Sequence, residues 1–180
     1  MEAALLLLLL QGVLGAVDTL YYHEFRLRLP SGLTARTELK LHAVRDFLYA
    51  AVFGSLAWIS WNGLLSWVLV GLLLAEVLIT LWDFLEEDRA RKVPPGERSM
   101  HAIMGLIYGA FLATLLPEVF YWSNLPTTFR FHDFGLLSWL LSLMALGVFA
   151  SGVRDAAAAW TGETEGNLVE RDTRRFTPRR

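Results

Sequence analysis

Cysteine is absent from the 180 residues of the chain. That rules out a disulfide framework, a thiolate zinc site, an iron–sulfur cluster and a cysteine nucleophile. Charge of one sign is also lacking. The formal net charge is −2, so nothing points to nucleic acid as a partner. There is no glycine-rich phosphate loop. Ser66, Ser138 and Ser142 have no base at a matching depth, so a serine hydrolase arrangement is not expected. The Glu-x-x-His pair of soluble di-iron bundles is missing, and no internal repeat is evident, which argues against many small transporters.

What the chain has is apolar sequence. Hydrophobic residues make up 54% of it, against roughly 45–50% in soluble domains, and the mean hydropathy is +0.41. A membrane-crossing helix needs about 20 mostly apolar residues. Stretches near 3–22, 42–61, 64–84, 101–116 and 134–153 qualify. Asn62-Gly63 reads as a turn between the second and third, and Pro94-Pro95-Gly96 breaks the third from the fourth. Pro117 and Pro126 are expected to bracket the loop after the fourth. The first stretch has no basic residues ahead of it and no clear small-residue cleavage site, so it reads as a retained helix and not a signal peptide.

The basic residues orient these spans. Arg26, Arg28, Arg36, Lys40 and Arg45 follow or open the first connection. Arg89, Arg91, Lys92 and Arg98 lie around the third, and Arg154, Arg171, Arg174, Arg175, Arg179 and Arg180 lie at the end. Five helices with the N-terminus outside put fifteen of the 16 basic residues in the cytoplasm and leave Arg130 outside. The expected fold is therefore all-α: a polytopic membrane bundle over 1–155, N-terminus outside, C-terminus cytoplasmic, with a polar tail over 156–180 that reads as disordered. Trp58, Trp61, Trp67, Tyr121 and Trp122 fall near the outer interface, and Tyr21, Tyr22 and Trp82 near the inner one.

Ionisable residues inside spans cost at least about 2.5–3.5 kcal/mol each at a helix centre and mark functional sites. With this topology His23, Glu24, His42, Asp46, Asp83, Glu86, Glu87 and His101 gather at the cytoplasmic rim, with Asp18 and Glu76 one to two turns deeper. Glu76, Thr80, Asp83 and Glu87 form one stripe along the third helix. His42, Asp46 and Tyr49 form another on the second, and His101 and Tyr108 share a face of the fourth. Carboxylates and imidazoles converging from several helices suit a dinuclear iron or manganese centre. The expected ligands are His23, His42, Asp46, Asp83, Glu87 and His101, with iron the first choice of metal. Glu76 is the candidate catalytic residue, as a proton relay or by steadying a ligand. Glu24 and Glu86 have no assigned facing. The matching enzyme class is a metal-dependent membrane oxidoreductase acting on a lipid or a quinone. The competing readings are a non-enzymatic anchor or subunit whose rim is a salt-bridge network, a haem or quinone carrier using two rim histidines, and a small transporter with Glu76 as its proton site. His132, beside Asp133, reads as ordinary loop chemistry. Gly105-x-x-x-Gly109 reads as a close helix-packing motif, and Ser99 as the N-cap of the fourth helix.

Four segments carry a resemblance. Asp18-Thr19-Leu20-Tyr21-Tyr22-His23-Glu24, Leu41-His42-Ala43-Val44-Arg45, Leu81-Trp82-Asp83-Phe84-Leu85-Glu86-Glu87-Asp88, and Glu97-Arg98 followed by His101 resemble an uncharacterised family of bacterial multi-pass membrane proteins over roughly residues 12–155. The resemblance implies a bacterial inner-membrane location and brings no activity with it. The chain does not follow the membrane desaturase or hydroxylase pattern, whose clustered histidine boxes need more than its four histidines.

Lack of cysteine makes the orientation directly testable. Asp133→Cys in intact cells should react with a membrane-impermeant maleimide, and Lys92→Cys should react only after the membrane is opened. The reverse pattern would overturn the orientation.

Overall fold

In the computed structural model, the backbone is described over residues 1–26, 36–90 and 92–176, and side chains over 1–22, 37–89 and 92–161. Among the described residues there are five α-helices: α1 (Glu2–Val17), α2 (Arg36–Leu56), α3 (Leu65–Ala90), α4 (Pro95–Ser123) and α5 (Leu136–Phe176). A π-helical segment, Asp18–Arg26, continues α1. Two short strands, β1 (Ile59–Asn62) and β2 (Thr128–Phe131), pair antiparallel with Ser60 opposite Arg130.

Four helices are long and apolar enough to cross a membrane: Glu2–Tyr22, Leu65–Arg89, Pro95–Ser123 and Leu136–Thr161. α2 is not among them, because Arg36, Glu38, Lys40, Arg45 and Asp46 break up its apolar run. It nevertheless lies within the bundle, packed most extensively on α5 and also on α3. α1 packs on α4 and α5, and α3 touches α4. The helices therefore close into a ring in the spatial order α1, α4, α3, α2, α5.

The ring is apolar outside and divided inside. Leu74, Leu78, Leu81 and Leu85 on α3, Leu106 and Phe120 on α4, and Leu143, Leu146 and Phe149 on α5 are exposed. A soluble protein rarely shows so continuous an apolar exterior, whereas lipid welcomes it. The half of the interior next to the strands is an apolar core of Leu5, Leu8, Phe53, Leu56, Leu69, Phe111, Leu115 and Leu141. The opposite half buries Asp18, Glu38, His42, Asp83, Glu87, Glu97, His101 and Asp155. The expected stripe on α3 thus faces inward, with Glu76, Asp83 and Glu87 buried among exposed leucines.

Several boundaries differ from the sequence expectation. α2 begins six residues earlier than 42 and stops at Leu56, and the apolar stretch after it turns into β1. Ile59-Ser60-Trp61-Asn62 alternates in burial, with Ser60 and Asn62 inside, which is the period-two pattern of a strand. β2 satisfies its backbone, and Trp58 and Trp61 pack on Phe131 and Phe129. α4 also starts earlier, at Pro95, and Pro94 takes the N-cap position expected for Ser99. Proline suits this first helical position because no helix bond to its nitrogen is needed there. Ser99 instead sits inside α4, its hydroxyl donating to the Pro95 carbonyl at 2.9 Å.

Pro117 does not end α4, which runs on to Ser123. Phe111, Leu115, Val119 and Trp122 form a buried face running past the proline, so packing on both sides outweighs one lost helix bond. Among the described residues nothing packs against Gly105 or Gly109, since a Cβ added at either meets nothing within 4 Å. α5 continues past 153 through residues expected to form a disordered tail.

The Asn62-Gly63 turn is present, with Gly63 at φ +63° and its N–H donating to the Trp122 carbonyl at 2.8 Å. A Cβ there would fall 2.6 Å from the Thr127 backbone. Gly63→Ala should therefore cost more than about 1 kcal/mol and lower the melting temperature in detergent. Gly71→Ala on α3, where an added Cβ meets nothing within 4 Å, should be neutral or slightly stabilising. Equal melting curves for the two variants would contradict this account of the turn.

Candidate metal centre

Two groups of side chains come together in the polar half. Glu38 and His42 of α2 meet Glu87 of α3, and Glu97 and His101 of α4 meet the same Glu87. In each group the donor atoms lie within 4.8 Å of one another, and all five residues are buried. The local cause is helical periodicity. Glu38 and His42 are four residues apart, as are Glu97 and His101, so each pair stands on one face one turn apart. α2 and α4 present the same Glu-x-x-x-His pair from opposite sides of α3.

Glu87 is the hinge of the arrangement. Its Oε1 lies 3.7 Å from His42 Nε2, and its Oε2 lies 3.4 Å from His101 Nδ1. One carboxylate thus directs one oxygen to each imidazole. The far ring nitrogens also face carboxylates. His101 Nε2 is 3.2 Å from Asp18 Oδ2, and His42 Nδ1 is 3.9 Å from Asp155 Oδ2. A carboxylate behind a ligating imidazole fixes its tautomer and raises its basicity. Phe84 stacks on the His101 ring with centroids 4.8 Å apart and an 11° tilt, holding its plane.

Ion pairs border the groups. Arg45 Nη1 donates to Asp83 Oδ2 at 2.6 Å, and the same oxygen lies 3.0 Å from His42 Nε2. Arg154 donates to Asp155 at 2.8 Å. These permanent cations lower the cost of burying the outer carboxylates. Chemically, the Glu/His donor sets can hold a metal ion, since imidazole and carboxylate together suit first-row transition metals.

Of the ligands expected from sequence, His42, Glu87 and His101 are in the two groups. Asp83 is adjacent, shared between His42 and Arg45. Asp46 is directed elsewhere: it hydrogen-bonds Ser151, and its Cβ would be 3.1 Å from one added at Gly152. Although it is four residues from His42, Asp46 sits where α5 crosses α2 closely, and that contact claims it. The side chains of His23 and Glu24 lie outside the described residues. Glu86 points outward to Arg89 at 3.7 Å. His132 stands at the strand end against Phe134, its pKa lowered by partial burial and by Arg130.

Sequence reasoning missed Glu38 and Glu97. Both fall before the expected helix starts, where they look like solvated loop acids. The signal that finds them is the repeated four-residue spacing to a histidine, combined with a helix start one turn earlier. Asp155 escaped for the opposite reason, lying beyond the expected end of the last span. Comparisons with family models, curated proteins and solved structures find no match for this chain.

The Arg45–Asp83 contact gives a stability prediction. Arg45→Met leaves Asp83 buried without its guanidinium and should cost about 3–5 kcal/mol. Adding Asp83→Asn should recover much of that loss, because the uncompensated charge is gone. Thermal unfolding in detergent reads both, and additive losses in the double variant would refute the pairing.

Proposed function

We propose that this is a bacterial inner-membrane protein that holds a dinuclear transition-metal centre, iron by preference, at the cytoplasmic rim of a five-helix bundle. The observation that carries this reading is Glu87, whose two oxygens face two imidazoles on different helices. A carboxylate so placed is suited to bridge two ions, with Glu38 and His42 completing one side and Glu97 and His101 the other. A salt-bridge network alone has no need for two matched Glu-x-x-x-His pairs, each imidazole backed by a further carboxylate.

The proposed topology has α2 as a fifth span, with the N-terminus outside. Its support is the distribution of the basic residues and the seat of α2 between α3 and α5. The charged groups Glu38 and His42 are turned inward, which lets a helix of modest apolarity cross lipid. Iron in such a site supplies redox chemistry, and a centre inside a membrane bundle suits a membrane-soluble substrate, a lipid or a quinone. In that scheme Asp18 and Asp155 orient the imidazoles, Phe84 fixes the plane of His101, and Arg45 with Asp83 holds His42 in place.

Elemental analysis of detergent-purified protein tests the proposal. The wild type, grown with metals supplied and purified without chelator, should carry about two transition-metal ions per chain. Glu38→Ala/His42→Ala and Glu97→Ala/His101→Ala should each lose about one, and Glu87→Ala should lose most of both. An absence of metal in folded wild-type protein would leave the cluster as an ion-pair network in an anchor or subunit.

A further inference from the structure

A second polar group lies between the metal-binding half and the apolar core, and its residues are not among those proposed as ligands. Glu76 of α3 is 1% exposed. Its Oε1 accepts a hydrogen bond from Thr80 Oγ1 at 2.7 Å, and Oε2 is buried as well. The hydroxyls of Tyr49 on α2 and Tyr108 on α4 both approach this carboxyl. The two rings meet edge to face with centroids 5.7 Å apart. The Tyr108 hydroxyl is buried, with the Glu76 carboxyl as its polar neighbour. From α1, Gln11 Nε2 donates to the Tyr49 hydroxyl at 3.4 Å, and its Oε1 is without a partner.

A buried carboxyl, two buried hydroxyls and an amide in one apolar layer are expensive to keep there. Native interiors hold few buried polar groups so sparsely bonded without a function or a bound water. The chemistry narrows what they serve. The site has one carboxylate, hydroxyls that both donate and accept, and one amide oxygen. It has no imidazole and no second acid, so it lacks the donors of a transition-metal site. Arg45, one turn along α2 from Tyr49, is the cation that acts on this group. α5 completes the ring around this layer with Met144 and Ala145, which carry no charge. A lone acid ringed by hydroxyls in a membrane interior is the arrangement of a proton-carrying site.

We propose that Glu76, with Tyr49, Tyr108, Thr80 and Gln11 around it, is a proton-exchange site in the interior of the bundle. A proton adds to Glu76 Oε2 to give the neutral carboxyl and leaves from the same oxygen, with no change of oxidation state. Thr80 steadies Oε1 throughout. The tyrosine hydroxyls beside the carboxyl are the route by which the proton arrives or departs. The Glu76 stripe runs on along α3 to Asp83 and Glu87, so the site lies on the face that leads to the Glu/His groups. The inference does not need metal to be bound there.

Dicyclohexylcarbodiimide tests it on the full-length chain, because this apolar reagent modifies a membrane carboxyl only while it carries a proton. Mass spectrometry of the wild-type protein should place the adduct on Glu76, with labelling that falls as pH rises. Glu76→Gln should lose the adduct. Tyr108→Phe should change the rate at fixed pH by up to about tenfold, the scale of one ordinary hydrogen bond. A merely structural role for Tyr108 would leave that pH profile in place. No adduct on Glu76 in folded wild-type protein, or labelling that does not depend on pH, would overturn the proposal. Protection of Glu76 by sodium ions would also overturn it, assigning the site to a metal cation instead. Since the mapping is done on wild type, the result does not depend on how well any variant folds. Metal content measured on the same sample keeps failure here distinct from failure of the metal centre.

Discussion

Glu87 draws His42 and His101 toward one carboxylate from helices on either side of α3, and the arrangement of the bundle follows from the demand that makes. A charged group in an apolar interior must be given partners or it will not stay there. Here the partners come from every helix: Asp18 at the end of α1, Glu38, His42 and Arg45 from α2, Asp83 and Glu87 from α3, Glu97 and His101 from α4, and Arg154 and Asp155 from α5. No local segment can satisfy such a set. The closed ring of helices is what brings the groups within reach.

The same demand accounts for features that look anomalous one at a time. α2 carries too many charges to stand among the four helices apolar enough to span, yet it takes its place in the ring between α3 and α5, because its charges are the ones the polar half needs. The π-helical segment after α1 has a wider turn than an α-helix, and such segments occur frequently at functional sites. It begins at Asp18, the residue that meets His101. The strand pair closes the other end, where backbone leaving the helices must find hydrogen bonds inside an aromatic layer built on Trp58, Trp61, Phe129, Phe131 and Trp139. One end of the bundle is held by polar convergence and the other by aromatic packing and a short sheet.

Between these ends the interior changes in steps. The apolar core gives way to the Glu76 layer of hydroxyls and amide, and that layer gives way to carboxylates and imidazoles. Along α3 the change is written as Leu69, Leu73, Glu76, Thr80, Asp83 and Glu87, all on one side of a helix whose other side is leucine. A chain serving only as an anchor needs no such gradient. It is the gradient that the proposed metal centre and proton-exchange site call for.

Much of this was legible in the residues themselves. Run lengths of apolar sequence and the three-and-four spacing of Glu76, Thr80, Asp83 and Glu87 locate the helices and the inward face of α3, because each is a property of one segment and of its solvent. The strand pair was not legible, since Ile59–Asn62 is apolar enough to pass for a helix end and its partner lies far along the chain. Nor was the membership of the two Glu/His groups. Asp46 and Glu38 each stand four residues from His42, on opposite sides of it, and periodicity alone treats them alike. Only the packing of α5 against α2, which takes Asp46 to Ser151 and leaves Glu38 facing Glu87, separates them. Sequence determines which face of a helix is polar, because that is a matter of spacing along one chain. Tertiary structure decides which acid on that face meets which imidazole, because the partner arrives on a different helix, at a rotation that is set by the packing of the whole ring.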